Sequence, residues 1–220
     1  MIRGAPMGHR FSHATLDNYE VTPFNREGFE ACQKLVRGET GGIVLRGPVG
    51  VGKTHLLIGL TKAFEAHRTA FEEEGQLVEM PPLRELVEHA SEEDDESAPV
   101  RLEPGEQSHD PEIEYWPMLD LASELRAEVM QGELFLSRRC RLCDLLILDD
   151  LGREKLTDFL LQEFQRIIDW RYREERPIAI ATNRTPRELV ERYGENTFSR
   201  WRESCEIVEI TGPDYRTDRS

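Results

Sequence analysis

A chain of 220 residues is long enough for one sizeable α/β domain, and 38% hydrophobic against 32% charged residues is a soluble globular balance with something very polar added. No apolar run approaches membrane-spanning length, residues 1–10 lack the apolar stretch of a signal peptide, and four cysteines do not suggest a disulfide scaffold; a cytoplasmic protein with no membrane partner is expected. Of the net charge of −15, Phe71 to Tyr115 supplies sixteen acids against two arginines, so the remaining body is close to neutral and a nucleic-acid partner is not excluded by the overall acidity.

Residues 1–40 read as an irregular arm followed by a helix whose apolar stripe is Phe29, Cys32, Leu35 and Val36. Ile43-Val44-Leu45 is a short buried strand, and Leu56, Leu57, Leu60 and Phe64 recur at helical spacing after it. The acidic segment at about 71–112 follows, with Glu92 to Glu96 and then Pro99, Pro104, Gly105 and Pro111. That composition reads as a disordered or loosely ordered insertion.

Order is expected to resume at Ile113-Glu114-Tyr115-Trp116, a second strand, followed by a helix over about 119–131. Leu145-Leu146-Ile147-Leu148 is apolar throughout, as in a parallel strand covered on both faces. A long helix over about 156–175, a strand at Ile178–Ala181, a helix opened by Thr185-Pro186 and a last strand at Ile207–Ile210 complete the chain. Alternating strands and helices imply a parallel sheet with helices on both faces.

The chemistry is concentrated in a few places. Gly47-Pro48-Val49-Gly50-Val51-Gly52-Lys53-Thr54 fits G-x-x-x-x-G-K-[ST], the phosphate-binding P-loop. Its glycines let backbone N–H groups turn inward towards an anion at a helix N-terminus. Lys53 suits the β- and γ-phosphates of ATP, and the Thr54 hydroxyl suits Mg²⁺. The third strand ends in Asp149-Asp150, which fits an acid that holds Mg²⁺ (Asp149) followed by one that activates water (Asp150), although Asp-Asp-Leu-Gly is also good turn chemistry. Asn183, just after the fourth strand, fits either a sensor of the terminal phosphate or a cap for the next helix. Arg200 fits an arginine finger directed at a neighbouring subunit or a plain surface arginine. Cys140-Arg141-Leu142-Cys143 lacks the second ligand pair of a zinc site and reads as packing, and Arg138, Arg139 and Arg141 fit either DNA phosphates or an ordinary helix end.

GPVGVGKTH at Gly47 to His55, LLILDDLG at Leu145 to Gly152 and ATN at Ala181 to Asn183 together resemble the DnaC/IstB-like branch of the AAA+ ATPases, which includes helicase loaders and transposition ATPases. The long stretch after Asp150, ERYGENTFSRW around Arg200 and the closing GPDYR are also similar, so the resemblance covers about 11–70 and 113–216. It implies a three-layer P-loop fold with a parallel five-stranded sheet in the order 5-1-4-3-2 and no separate C-terminal lid, Arg216 being only a weak substitute for a lid arginine. It also implies binding of ATP or ADP by residues Gly47 to His55, Mg²⁺ on Thr54 and Asp149, and hydrolysis at subunit interfaces by Lys53, Asp150, Asn183 and Arg200. The partners implied are further copies of the chain in a ring or spiral, a replicative helicase and single-stranded DNA. A transposase partner is the nearest alternative and a nucleotide-dependent adaptor a more distant one. The short arm before the core and the acidic insertion depart from the family pattern, which points to the insertion as a partner-docking or regulatory element.

Overall fold

The computed structural model describes residues 2–4, 11–73, 112–131 and 135–215. Six parallel strands form one sheet: β1 (Ile2–Gly4), β2 (Gly42–Arg46), β3 (Ile113–Pro117), β4 (Leu145–Leu151), β5 (Ile178–Thr182) and β6 (Glu206–Glu209). Their spatial order is β1-β3-β4-β5-β2-β6. Leaving out β1, this is the expected 5-1-4-3-2 arrangement. The expectation of five strands is corrected to six, because Ile2, Arg3 and Gly4 pair in parallel with Ile113, Glu114 and Tyr115 and cover an edge that β3 would otherwise expose.

The helices are α1 (Arg26–Val36), α2 (Lys53–Glu73), α3 (Met118–Gln131), α4 (Phe135–Leu142), α5 (Asp158–Arg173), α6 (Pro186–Tyr193) and α7 (Glu195–Ser204). Side-chain alternation along the strands divides the core into two layers. Ile43, Leu45, Ile147, Ala179 and Ala181 face α1 and α2, where Cys32, Leu35, Leu56, Leu57 and Leu60 pack. Val44, Leu146, Leu148 and Ile180 face the opposite layer, built on Leu121, Leu125, Phe164, Ile167, Tyr193 and Trp201. The apolar runs of β2, β4 and β5 are thus buried on both sides, and this is why they carry no polar alternation.

Local chemistry sets the helix starts. Thr157 caps α5, its hydroxyl accepting from the Leu160 N–H at 3.3 Å. Thr185 caps α6 in a reciprocal capping box with Glu188, and Pro186 fills the first helical position. Ahead of α1, the arm lies on the first half of α2. Gly59 permits this: a Cβ there would lie 2.7 Å from the Leu16 backbone nitrogen. No described helix is long and apolar enough to cross a membrane. The acidic insertion between α2 and β3 lies, apart from its ends, outside the described residues, as does Arg216.

Candidate functional site

β2 delivers the chain to Gly47, and α2 begins at Lys53, so the intervening loop is a strand-to-helix turn at the carboxyl edge of the sheet. Gly50 and Gly52 adopt φ of +87° and +96°, a left-handed backbone that L side chains disfavour, and this curls the loop. The Gly47 N–H donates to Thr182 O at 3.2 Å, tying the loop to the end of β5, and the buried Val51 side chain anchors its middle. The Lys53 ammonium lies back over the loop, donating to Gly47 O at 2.8 Å and Pro48 O at 2.6 Å, and is nearly buried. A curled loop at a helix N-terminus with a cation held over it is the donor set that a polyphosphate requires.

Beside it, Asp149 is buried at the end of β4. Its Oδ2 accepts from the Thr54 hydroxyl at 2.9 Å and from the Tyr115 hydroxyl at 2.9 Å, and its Oδ1 accepts from the Asp150 N–H at 2.9 Å. Burial pushes the Asp149 pKa above the usual carboxylate value, against the lowering effect of these hydrogen bonds. Burial and the adjoining carboxylates raise the Tyr115 pKa, so its phenol keeps its proton and donates. A buried carboxylate next to a threonine hydroxyl, at the foot of a phosphate-type loop, suits Mg²⁺, which takes few protein oxygens and completes its shell with phosphate and water. Among the described residues no group of three or more His, Cys, Asp or Glu gathers into another metal site.

Asp150 owes its direction to a bulge. Leu148 pairs with Ile180 and Leu151 with Thr182, so β4 has one residue more than β5 across this step. Asp150, at φ +56°, turns outward and ion-pairs with Arg153 at 2.7 Å, while its carbonyl accepts from the Arg153 N–H at 3.3 Å. The turn expected of Asp-Asp-Leu-Gly is present, and it leaves the second acid half-exposed at the rim.

Asn183 follows β5 directly and is exposed. The cap of α6 is Thr185, so Asn183 does not serve that purpose. The residue before it links both halves of the site: Thr182 O accepts from Gly47, and the Thr182 hydroxyl donates to Leu151 O at 2.7 Å. Thr182, not Asn183, makes these ties, and Asn183 follows it in the chain. His55 contacts the arm, its Nε2 lying 2.9 Å from Asn18 Oδ1 and 3.1 Å from Thr15 O, with its ring edge-on to Tyr19.

Arg200 lies apart from these residues, on α7, where its guanidinium ion-pairs with Asp169 at the far end of α5. α5 and α7 both end where β5 and β6 begin, at the amino edge, whereas the loop lies at the carboxyl edge. The cysteines of the C-x-x-C are buried at the end of α4 and pack against Arg171, and among the described residues no second ligand pair joins them. Arg139 is committed to Glu114 at 2.7 Å.

Three contributors escaped the sequence reading. Tyr115 reaches Asp149 only because β3 and β4 are neighbours. Tyr19 brings its hydroxyl to 2.9 Å from where a Cβ on Gly52 would lie. From the other end of the chain, the Tyr215 N–H donates to Gly50 O at 3.2 Å, and a side chain on Gly50 would overlap the Asp214 carboxylate. The arm and the closing residues Asp214 and Tyr215 both converge on the loop; the closing segment was legible only as a resemblance.

No protein-family model matches the sequence, and no curated protein matches it. Among solved structures the chain is similar to the DnaC helicase loader, with TM-score 0.65 and 24% identity over 92% of this chain and 99% of that one. It is similar to DnaI at TM-score 0.62 and 20% identity, over 97% of this chain and 96% of that one. AMPPCP-bound DnaA from Aquifex aeolicus matches at TM-score 0.61 and 22% identity, over 90% of this chain and 49% of that one, so the chain spans about half of that protein. The fold is the three-layer α/β fold of P-loop AAA+ proteins, as the motifs implied.

Proposed function

We propose that this chain is a Mg²⁺-dependent ATPase of the helicase-loader type, acting with a replicative helicase, single-stranded DNA or both. The observation that carries the reading is the 2.9 Å contact between Thr54 and the buried Asp149, made beneath a loop over which Lys53 is already folded. Thr54 and Asp149 would hold the cation, which neutralises phosphate charge when bound. Lys53 exchanges its two carbonyl partners for phosphate oxygens. Asp150 orients and activates the attacking water, and Asn183 contacts that water and the terminal phosphate. Arg200 acts on the nucleotide of an adjoining copy in a ring or spiral. Hydrolysis then releases a helicase- or DNA-bound state.

Likeness to the DnaC helicase loader and to a DnaA structure bound to AMPPCP and single-stranded DNA supports this choice of partner class. The test is nucleotide binding and turnover, measured with and without single-stranded DNA. Lys53→Ala is expected to abolish ATP binding, and the intact protein to hydrolyse ATP without any small acceptor. A protein that binds ATP but never turns it over, alone or with DNA and helicase, would be an adaptor instead.

A further inference from the structure

We infer that Tyr115 is a positioning residue for the cation site, holding the Asp149 carboxylate in the orientation that leaves the Thr54 hydroxyl free to face a metal ion. The inference rests on the Mg²⁺-nucleotide reading of the site and adds to it a residue from β3, a strand with no part in the loop or the two acids.

The geometry is specific. Both oxygens of Asp149 are engaged: Oδ1 by the Asp150 backbone, Oδ2 by two hydroxyls at once, Thr54 and Tyr115, each at 2.9 Å. Thr54 has one proton to donate and spends it on Asp149, so its lone pairs are directed elsewhere. Tyr115 gives Oδ2 a second donor that the cation does not need. It is well fixed for this: its ring is buried in the same core layer as Ile113, Leu145 and Ile147, and its strand is locked in register with β4. A carboxylate fixed by three donors needs little rearrangement when a cation arrives. Without the phenol, Oδ2 rests on Thr54 alone, the very group the cation must share. Loss of a partner that orients a metal ligand typically weakens metal affinity about 10- to 100-fold.

Tyr115→Phe tests this, since it removes one hydroxyl and keeps the ring. Binding of fluorescent mant-ADP is measured first in EDTA and then during titration with MgCl₂, alongside thermal melting. Metal-free nucleotide affinity should stay within about two-fold, while the Mg²⁺ half-saturation point rises about ten-fold or more. A folded variant with an unshifted Mg²⁺ titration overturns the inference. Should Tyr115→Phe melt below the assay temperature, the same titration is run at a temperature where it is folded, and an unshifted Mg²⁺ response there overturns the inference equally. Asp149→Asn is run in parallel: if it also titrates with Mg²⁺ like the unaltered protein, the metal reading of the site fails. If it loses the Mg²⁺ response while Tyr115→Phe keeps it, only the role given to Tyr115 fails.

Discussion

The Arg200 guanidinium lies 2.5 Å from Asp169 Oδ1 and 5.8 Å from the centroid of the Tyr172 ring. α7 therefore presents its arginine against α5 of its own chain, at the end of the molecule away from its own phosphate-type loop. The proposed finger role therefore requires a phosphate supplied by another copy. The pair is about one-third exposed on each side, so it contributes only about 0–1 kcal/mol.

Subunit mixing should then separate a finger from a surface arginine. Lys53→Ala lacks a working loop but retains Arg200; Arg200→Ala has the loop but no finger. Each alone is expected to be inactive in assembly-dependent turnover, and the mixture to recover part of it. If Arg200 is a finger, Asp169→Ala, which frees it, should lower the protein concentration for half-maximal turnover by up to about five-fold. Normal hydrolysis by Arg200→Ala alone would remove Arg200 from the mechanism.

Gly59→Ala sets two effects against each other. Alanine in mid-helix is favoured over glycine by about 1 kcal/mol. A methyl group here, however, would lie 2.7 Å from Leu16 N and 2.8 Å from Thr15 C, both backbone atoms that cannot step aside without the arm moving. The expected outcome is an unchanged or slightly higher melting temperature together with faster proteolysis between residues 11 and 25. Equal protease resistance would show that the arm does not depend on this close approach.

The sheet was legible because its central strands are continuous apolar runs and its loop is a backbone motif with few alternatives. β1 was not, since Ile2-Arg3-Gly4 has no periodicity and pairs with residues more than a hundred positions away. α4 was legible only at its end, where Arg138, Arg139 and Arg141 fit a helix terminus; its buried face of Leu136, Ser137 and Cys140 makes no apolar stripe. Lys53, Thr54 and the two acids were readable as types, but the bulge that turns Asp149 inward and Asp150 outward is a matter of register between β4 and β5. Tyr115 looked like one more strand aromatic until β3 was placed beside β4.

Docking of the arm should weaken on mild acidification. Burial lowers the His55 pKa from its ordinary value near 6.5, with His13 and Lys62 acting in the same direction and the bond to Thr15 opposing them. His55 on α2 thus binds the proton more readily when the arm is undocked than when it is docked. Docking is fully stabilised above about pH 6.5 and weakens as the pH falls below it, until the docked-state pKa is passed. Proteolysis of the arm should accelerate between pH 7.5 and 5.5, and His55→Gln should flatten that dependence. An unchanged slope in His55→Gln would assign the effect to another group.

Arg171 is the most deeply buried cation of the core, and among the described residues it has no carboxylate partner. Its Nη1 donates to the carbonyls of Cys140, Arg141 and Cys143 at 2.9–3.0 Å, and its Nη2 donates to Pro177 O. One planar fork thereby satisfies the open carbonyl end of α4, where the helix dipole is negative, and ties it to the entry of β5. Leaving even two of these carbonyls buried and unpaired costs about 1–3 kcal/mol each, so Arg171→Met should lose roughly 3 kcal/mol or more of unfolding free energy. Arg171→Lys should fare no better, because an ammonium keeps the buried charge without spanning four acceptors. Chemical denaturation checks both, and a lysine variant within about 0.5 kcal/mol of the parent would refute the fork argument. Thiol labelling gives a second readout. Cys140 and Cys143 are buried and their thiols are pushed to higher pKa, so the native protein should label slowly and Arg171→Met faster, as α4 loosens from the sheet.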